Sequence, residues 1–203
     1  MNIRFRLATP EDSRFIASMI DLSSDGIATI EWQEECDEVS GKTALDVGSE
    51  WYAREQGDYS YVNCLIAEAD RPVGMILSFP ITQENYSEDG KPPPYAADDV
   101  FAPYKYLEAL NSWYICGVAV IPEYRKQGVG KKLIEHSMDL ANKRGYSNAS
   151  LIAVYAKKRL IAYYQSLGFK ITRKAPIVEH PGIRVTGEVV LMETHPQDPT
   201  LLV

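Results

Sequence analysis

Val118-Ala119-Val120-Ile121-Pro122-Glu123-Tyr124-Arg125-Lys126-Gln127-Gly128-Val129-Gly130-Lys131-Lys132-Leu133 is the stretch on which the fold turns. An apolar, β-branched run ends near Ile121, two closely spaced glycines follow, and a helix opens directly behind them. Backbone N–H groups at a helix start lack intrahelical partners and sit at the positive end of the helix dipole, so they favour an anion. Gly128 and Gly130 remove side chains where a phosphate has to approach the backbone. Arg125, Lys126, Lys131 and Lys132 add positive charge to an otherwise acidic chain. A pyrophosphate is the expected ligand. The Walker loop needs a longer spacing closed by Gly-Lys-Ser/Thr, and the dinucleotide fingerprint needs a third glycine; neither is present. A bare Gly-x-Gly after a strand is equally served by a tight turn and a helix cap, so context must decide.

Outward from this stretch, the chain alternates strands and helices. Residues 113–121 read as a strand and 131–144 as a helix with Lys143 and Arg144 in its last turn and Gly145 behind it as a cap. Residues 150–155 are a strand, 157–166 a short helix stopped by Gly168, and 169–172 and 185–193 closing strands. Upstream, residues 3–7 alternate apolar and charged and predict a first strand. Thr9-Pro10-Glu11-Asp12 has the form of a helix start, running to about residue 21. Residues 23–57 predict further helix broken near Ser40-Gly41. Residues 61–69 and 73–80 predict an antiparallel hairpin joined by Asp70-Arg71-Pro72. The pattern lapses over 82–111, where Glu88-Asp89-Gly90-Lys91-Pro92-Pro93-Pro94-Tyr95 is loop chemistry. Tyr86, Tyr95, Phe101, Tyr104 and Tyr106 predict an insert that packs on something. The result is a mixed α/β layer.

The 203 residues suit one domain, and 45% hydrophobic with 24% charged residues is ordinary for a globular protein. Three widely spaced cysteines, Cys36, Cys64 and Cys116, suit reduced thiols better than a disulfide framework. The Cys and His spacing does not suggest a metal site. The formal net charge of -7 argues against a nucleic-acid footprint, which has to be basic. The start lacks an apolar leader and no apolar run approaches a membrane span, which predicts a cytoplasmic protein.

Context decides the glycine loop. Arg125-Lys126-Gln127-Gly128-Val129-Gly130 matches the Arg/Gln-x-x-Gly-x-Gly/Ala signature of the GNAT superfamily of N-acetyltransferases, and the run from Val118 to Tyr124 looks like that family's approach strand. Tyr163-Tyr164-Gln165-Ser166-Leu167-Gly168-Phe169 is similar to its second motif, in which a tyrosine, here Tyr164, stands five residues before the Phe of a Gly-Phe pair. The resemblance is strong over 113–172, topological over 1–80 and absent over 81–112. It departs at Lys157, where the family often has asparagine; Lys157 or Arg159 then becomes the candidate for a CoA phosphate.

The resemblance implies a single α/β GNAT-like domain over 1–195, with an insertion at about 82–112 and a tail at 196–203. Its mixed sheet, flanked by helices, would splay between 113–121 and 150–155 to admit CoA. It implies direct transfer of an acetyl group from acetyl-CoA, as cosubstrate and without metal, to a small-molecule or peptide amine. CoA contacts fall on the main chain of Val118 and Val120 and on Arg125, Lys126, Gln127, Gly128, Val129, Gly130 and Lys131. Tyr164 is the general acid for the departing thiolate. No Asp, Glu or His lies in 113–120, so the base stays open among Glu108, Tyr114 and Cys116; His136, His180 and His195 read as structural or solvated. The acidic residues Glu34, Glu35, Asp37 and Glu38, with Glu84, Glu88, Asp98 and Asp99, predict a cationic or primary amine acceptor held by 25–57 and the insert. No nucleic acid or membrane partner is expected, and a homodimer is left open. The rival readings are a CoA-binding module without turnover and a protein-interaction domain built on the insert.

Overall fold

The computed structural model describes residues 3–36, 41–82 and 98–194. The expectations placed on Asp37, Glu38, Glu84, Tyr86, Glu88, Tyr95 and the tail from His195 lie outside the described residues. In chain order the elements are β1 (Arg4–Leu7), a 3-10 turn (Pro10–Asp12), α1 (Ser13–Ser23), α2 (Ile27–Glu34), α3 (Ala44–Tyr52), β2 (Cys64–Glu68), β3 (Pro72–Pro80), α4 (Ala102–Leu107), β4 (Trp113–Val120), α5 (Val129–Lys143), β5 (Ala149–Val154), α6 (Lys158–Ser166), β6 (Phe169–Pro176) and β7 (Glu188–Thr194). The strands follow one another in the order β1-β2-β3-β4-β5-β7-β6, a mixed, open sheet in which β4 and β5 run parallel. Among the described residues no helix is long and apolar enough to cross a membrane.

By its internal contacts the chain divides into two units. The first comprises Met1–Phe79, Cys116–Ser137 and Pro181–Arg184. Here β1, β2 and β3 form an antiparallel meander. A Cβ on Gly74 would stand 3.1 Å from the Ala119 carbonyl oxygen and 3.4 Å from Leu133 of α5, while one on Gly117 would stand 2.6 Å from Ile20 of α1. Helix α5 therefore covers one face of these strands and α1 the other. Alternation then turns Val73, Met75, Leu77 and Phe79, all buried, to the α1 face.

The entry of the chain into α1 is fixed by charge. Arg6 donates to both oxygens of Asp12, at 2.7 and 2.9 Å, and to Glu68 at 3.0 Å, while the Thr9 N–H donates to Asp12 at 2.8 Å. Burial pushes the Asp12 carboxyl up, but the Arg6 and Thr9 hydrogen bonds outweigh it and hold the group below the usual carboxylate range. A depressed carboxylate contributes stability that is full above its unfolded value, about 3.9, and is lost as pH falls through the lower folded value. Asp12→Asn keeps the shape and leaves Arg6 half-paired, so it should cost about 2 kcal/mol at pH 7. The measurement is thermal unfolding of parent and variant from pH 7 down to pH 3. The gap should narrow on acidification, and a constant gap would count against the ion pair as its cause.

The second unit comprises Pro80–Ile115, Met138–His180 and Val185–Val203. The start of β4 pairs in parallel with β5 (Trp113–Ala149, Tyr114–Ser150, Ile115–Leu151), and β5, β7 and β6 continue antiparallel. Buried Ser112 and Ser150 share a hydrogen bond of 2.6 Å across the first of these ladders. Several elements differ from expectation. Helix α5 starts at Val129 rather than 131, and β7 at Glu188 rather than 185. Strand β6 runs on to Pro176, past a register shift between Ile171 and Arg173 that hides its alternation from a sequence reading. Helix α4 lies within the stretch expected to be irregular. The Arg173 guanidinium fastens its C-terminus by donating to the carbonyls of Tyr106 (3.0 Å), Leu107 (3.3 Å) and Glu108 (2.6 Å).

Candidate active site

The Ile121 N–H donates to the Val73 carbonyl at 2.9 Å, so at this register alternate residues of β4 turn their backbone groups toward β3. Val118 and Val120 are the residues between, and their N–H and C=O groups point away from β3. They also lie beyond the three β4 residues paired with β5. The Val120 carbonyl accepts from Arg125 Nε at 2.8 Å, which folds the start of the loop back onto the strand end. Gln127 Nε2 donates to the Glu123 carbonyl at 2.9 Å and tightens the same turn.

Two residues of the loop are left-handed, Lys126 at φ +59° and Gly128 at φ +81°. Glycine adopts this region without strain, whereas lysine does so at a cost of about 1–2 kcal/mol. The loop is thereby bent so that α5 begins at Val129, and Lys132 N–H closes its first recorded turn on the Gly128 carbonyl at 3.0 Å. The amides of Val129, Gly130 and Lys131 fall in the first turn, where helical partners are lacking. A Cβ built on Gly128 meets nothing within 4 Å. Its glycine is required by backbone conformation and not by crowding, and the space above it is open. Arg125, Lys126, Lys131 and Lys132 are exposed around this space, with Lys131 3.6 Å from Glu135 one turn on. A phosphate fits the arrangement: open volume over a helix start, with cations beside it. Among the described residues no group of three or more His, Cys, Asp or Glu could hold a metal ion.

Tyr164 belongs to the second unit, on α6. It is 7% exposed, 5.6 Å ring to ring from Tyr163 and 6.0 Å edge-on from Phe169. Burial pushes its phenol well above its ordinary value, with Tyr163 adding a smaller push. The hydroxyl is therefore protonated at neutral pH and can donate but not act as a base. No hydrogen bond from it is found among the described residues. Lys157 is half-buried and Arg159 exposed at the start of α6, in the same unit. Tyr114 is buried and Cys116 half-buried on β4. His136 packs edge-on against Phe5 at 4.8 Å, in keeping with a structural role.

A family model described as "Acetyltransferase (GNAT) family" matches residues 26–169, more than half of the chain. The chain belongs to the GNAT family. Within it, the ribosomal protein bS18-alanine N-acetyltransferase of Escherichia coli (strain K12) is 33% identical over 93 residues, 46% of this chain and 54% of that protein. The chain thus spans about half the length of the curated relatives it matches. Among solved structures, an acetyltransferase crystal structure aligns at a TM-score of 0.66 and 20% identity, covering 96% of this chain and 100% of that one. The PaiA N-acetyltransferase of Thermoplasma acidophilum, in complex with coenzyme A, aligns at 0.50 and 17% identity over 96% and 99%. At these identities the structures establish the GNAT fold.

Two acidic residues expected at the mouth of an acceptor site are engaged locally. Glu35 accepts from the Trp51 indole N–H at 2.8 Å, and Asp99 caps the Phe101 N–H at 2.8 Å. No sequence signal links Glu35 to a tryptophan sixteen residues away. Nor does one announce the left-handed lysine at 126.

Proposed function

We propose that this GNAT protein transfers an acetyl group from acetyl-CoA directly to a primary amine. The observation that carries the reading is the open, left-handed turn at Lys126–Gly128 over the start of α5, in a chain of this family. The loop 125–131 would hold the pyrophosphate, and the outward backbone groups of Val118 and Val120 the amides of the pantetheine arm and the thioester carbonyl. In the reaction the amine nitrogen bonds to the carbonyl carbon and the carbon–sulfur bond breaks. The nitrogen loses a proton and the thiolate gains one. An alkylammonium has a pKa of about 10.4, so roughly one acceptor in a thousand is neutral at pH 7 and proton removal is part of the work.

Tyr164 is the proposed acid for the thiolate. The thiolate of a thiol with an ordinary pKa, about 8.5, is a weaker base than this phenolate. The hydroxyl would therefore stabilise the developing sulfur charge by hydrogen bonding in the transition state rather than by complete prior transfer. Residues 1–195 would act as one domain with 82–112 inserted, in the cytoplasm. The bS18-alanine N-acetyltransferase relative is named for the alanine of a ribosomal protein, which makes a peptide amine one class to include beside small amines. The test is thiol release from acetyl-CoA against a panel of alkylamines, amino acids and N-terminal alanine peptides. Release that depends on an amine supports the reading. CoA binding without turnover on any amine would leave only a binding module.

A further inference from the structure

The whole formal charge of the chain can be found in one segment. Residues 26–60 contain nine acidic and two basic residues, a net of -7, and the complete chain also carries -7. One of the two cations, Lys42, is 2.7 Å from Glu50, and the other, Arg54, stands with its guanidinium carbon 5.5 Å from the centre of the Trp51 ring. The ring of Trp51 lies 6.3 Å from that of Tyr59, which is 40% exposed, and Tyr59 meets the edge of Phe79 at 5.8 Å. The Trp51 indole N–H donates to exposed Glu35 at 2.8 Å. Two aromatic rings and a carboxylate in an acidic neighbourhood make the chemistry that receives alkylammonium and guanidinium groups.

Its place along the strands is also informative. Val73 accepts from Ile121, where the phosphate loop begins, and Phe79 is six residues further along β3, about 20 Å of strand. Backbone contacts leading from the loop along β4 through Val120 to Val118 run in that same direction. The aromatic group that Phe79 closes thus lies further along β3, in the direction in which those backbone contacts would lead.

We propose that Trp51, Tyr59 and Glu35 form a shelf for a cationic group of the acceptor, and that Arg54 fills it intramolecularly in the free protein. The proposal rests on the acetyltransferase reading and names the acceptor class: chains bearing a guanidinium or ammonium near the reacting amine. Two sources share that chemistry, a basic peptide and a polyamine.

The experiment is calorimetric titration of the full chain with three probes: the peptide Ala-Arg-Arg, its neutral counterpart Ala-Gln-Gln, and spermidine. Ala-Arg-Arg or spermidine should bind and Ala-Gln-Gln should not, with affinity falling as salt rises from 50 to 300 mM. Tyr59→Leu keeps an apolar surface and removes the ring, and should weaken binding about tenfold; Glu35→Gln should weaken it severalfold. Arg54→Ala removes the internal competitor and should tighten binding by about two- to fivefold, a gain that a merely structural stack would not produce. Binding by one cation and not the other identifies the source. Absence of binding by both cations, or affinities unmoved by all three variants, would overturn the shelf and leave Arg54 on Trp51 as a local helix-end stack. Thermal stabilisation by CoA, measured on every variant, reports folding and keeps this failure separate from failure of the acetyltransferase reading.

Discussion

Tyr164→Phe is expected to lower kcat by about a hundred- to ten-thousand-fold, roughly 3 to 5 kcal/mol of barrier, while CoA affinity barely changes. The ring, which packs against Tyr163 and Phe169, is retained. The hydroxyl makes no hydrogen bond among the described residues, so its removal breaks none of theirs and stability should stay within about 1 kcal/mol of the parent. What is lost is the proposed donor to sulfur. Because burial already holds the phenol far above its ordinary value, its acidity contributes only as charge develops on sulfur, and water can replace part of it. This favours the smaller end of the range. Tyr163→Phe is the control: its side chain points about 100° away around α6, and it bears on Tyr164 through ring packing at 5.6 Å and a minor push on the phenol. Single-turnover rates with saturating acetyl-CoA separate the two. Full activity in Tyr164→Phe would reject the acid role, and a loss confined to Tyr163→Phe would move the role by one residue.

CoA at a hundred times its dissociation constant should stabilise the parent by about 2.7 kcal/mol, roughly 5–10 °C in Tm for a chain of this size. In Gly128→Leu that shift should vanish. The substitution acts twice. At φ +81° a branched side chain strains the backbone by about 1 kcal/mol, which lowers the unliganded Tm slightly. Its side chain then enters the space where a Cβ meets no protein atom within 4 Å, the space a phosphate would need. A bulky residue at Gly130, in the first turn of α5, should block the same approach. Differential scanning with and without CoA reads both effects. A parent that shows no shift would remove the phosphate role from the loop, and an undiminished shift in Gly128→Leu would place the phosphate elsewhere.

Elements whose information is local were legible. The strand–glycine–helix order of β4 and α5, the Thr9-Pro10 entry into α1 and the β2–β3 hairpin rest on side-chain period, caps and turn residues close together in the chain. Helix α4 was not legible, because Ala102-Pro103-Tyr104-Lys105-Tyr106-Leu107 is too short to show an apolar period. Its carbonyls are satisfied by Arg173, 65 to 67 residues away. The length of β6 was missed for a related reason, since a shifted register breaks the alternation that marks a strand.

The sequence by itself determined the family and singled out 125–131 as the candidate phosphate loop and Tyr164 as the candidate acid, because spacing within a short segment dictates which groups a helix start or helix face presents. Only the tertiary structure decided which of those groups are turned outward. The register of Ile121 on Val73 directs the backbone of Val118 and Val120 away from β3, and the left-handed turn at Lys126 and Gly128 opens the space above the loop. Tertiary structure alone also gathered Glu35, Trp51, Tyr59 and Phe79 and drew Glu35 and Asp99 into local hydrogen bonds. Such gathering depends on how α2, α3 and β3 pack, a matter of contacts between residues far apart in the chain, and no local period encodes it.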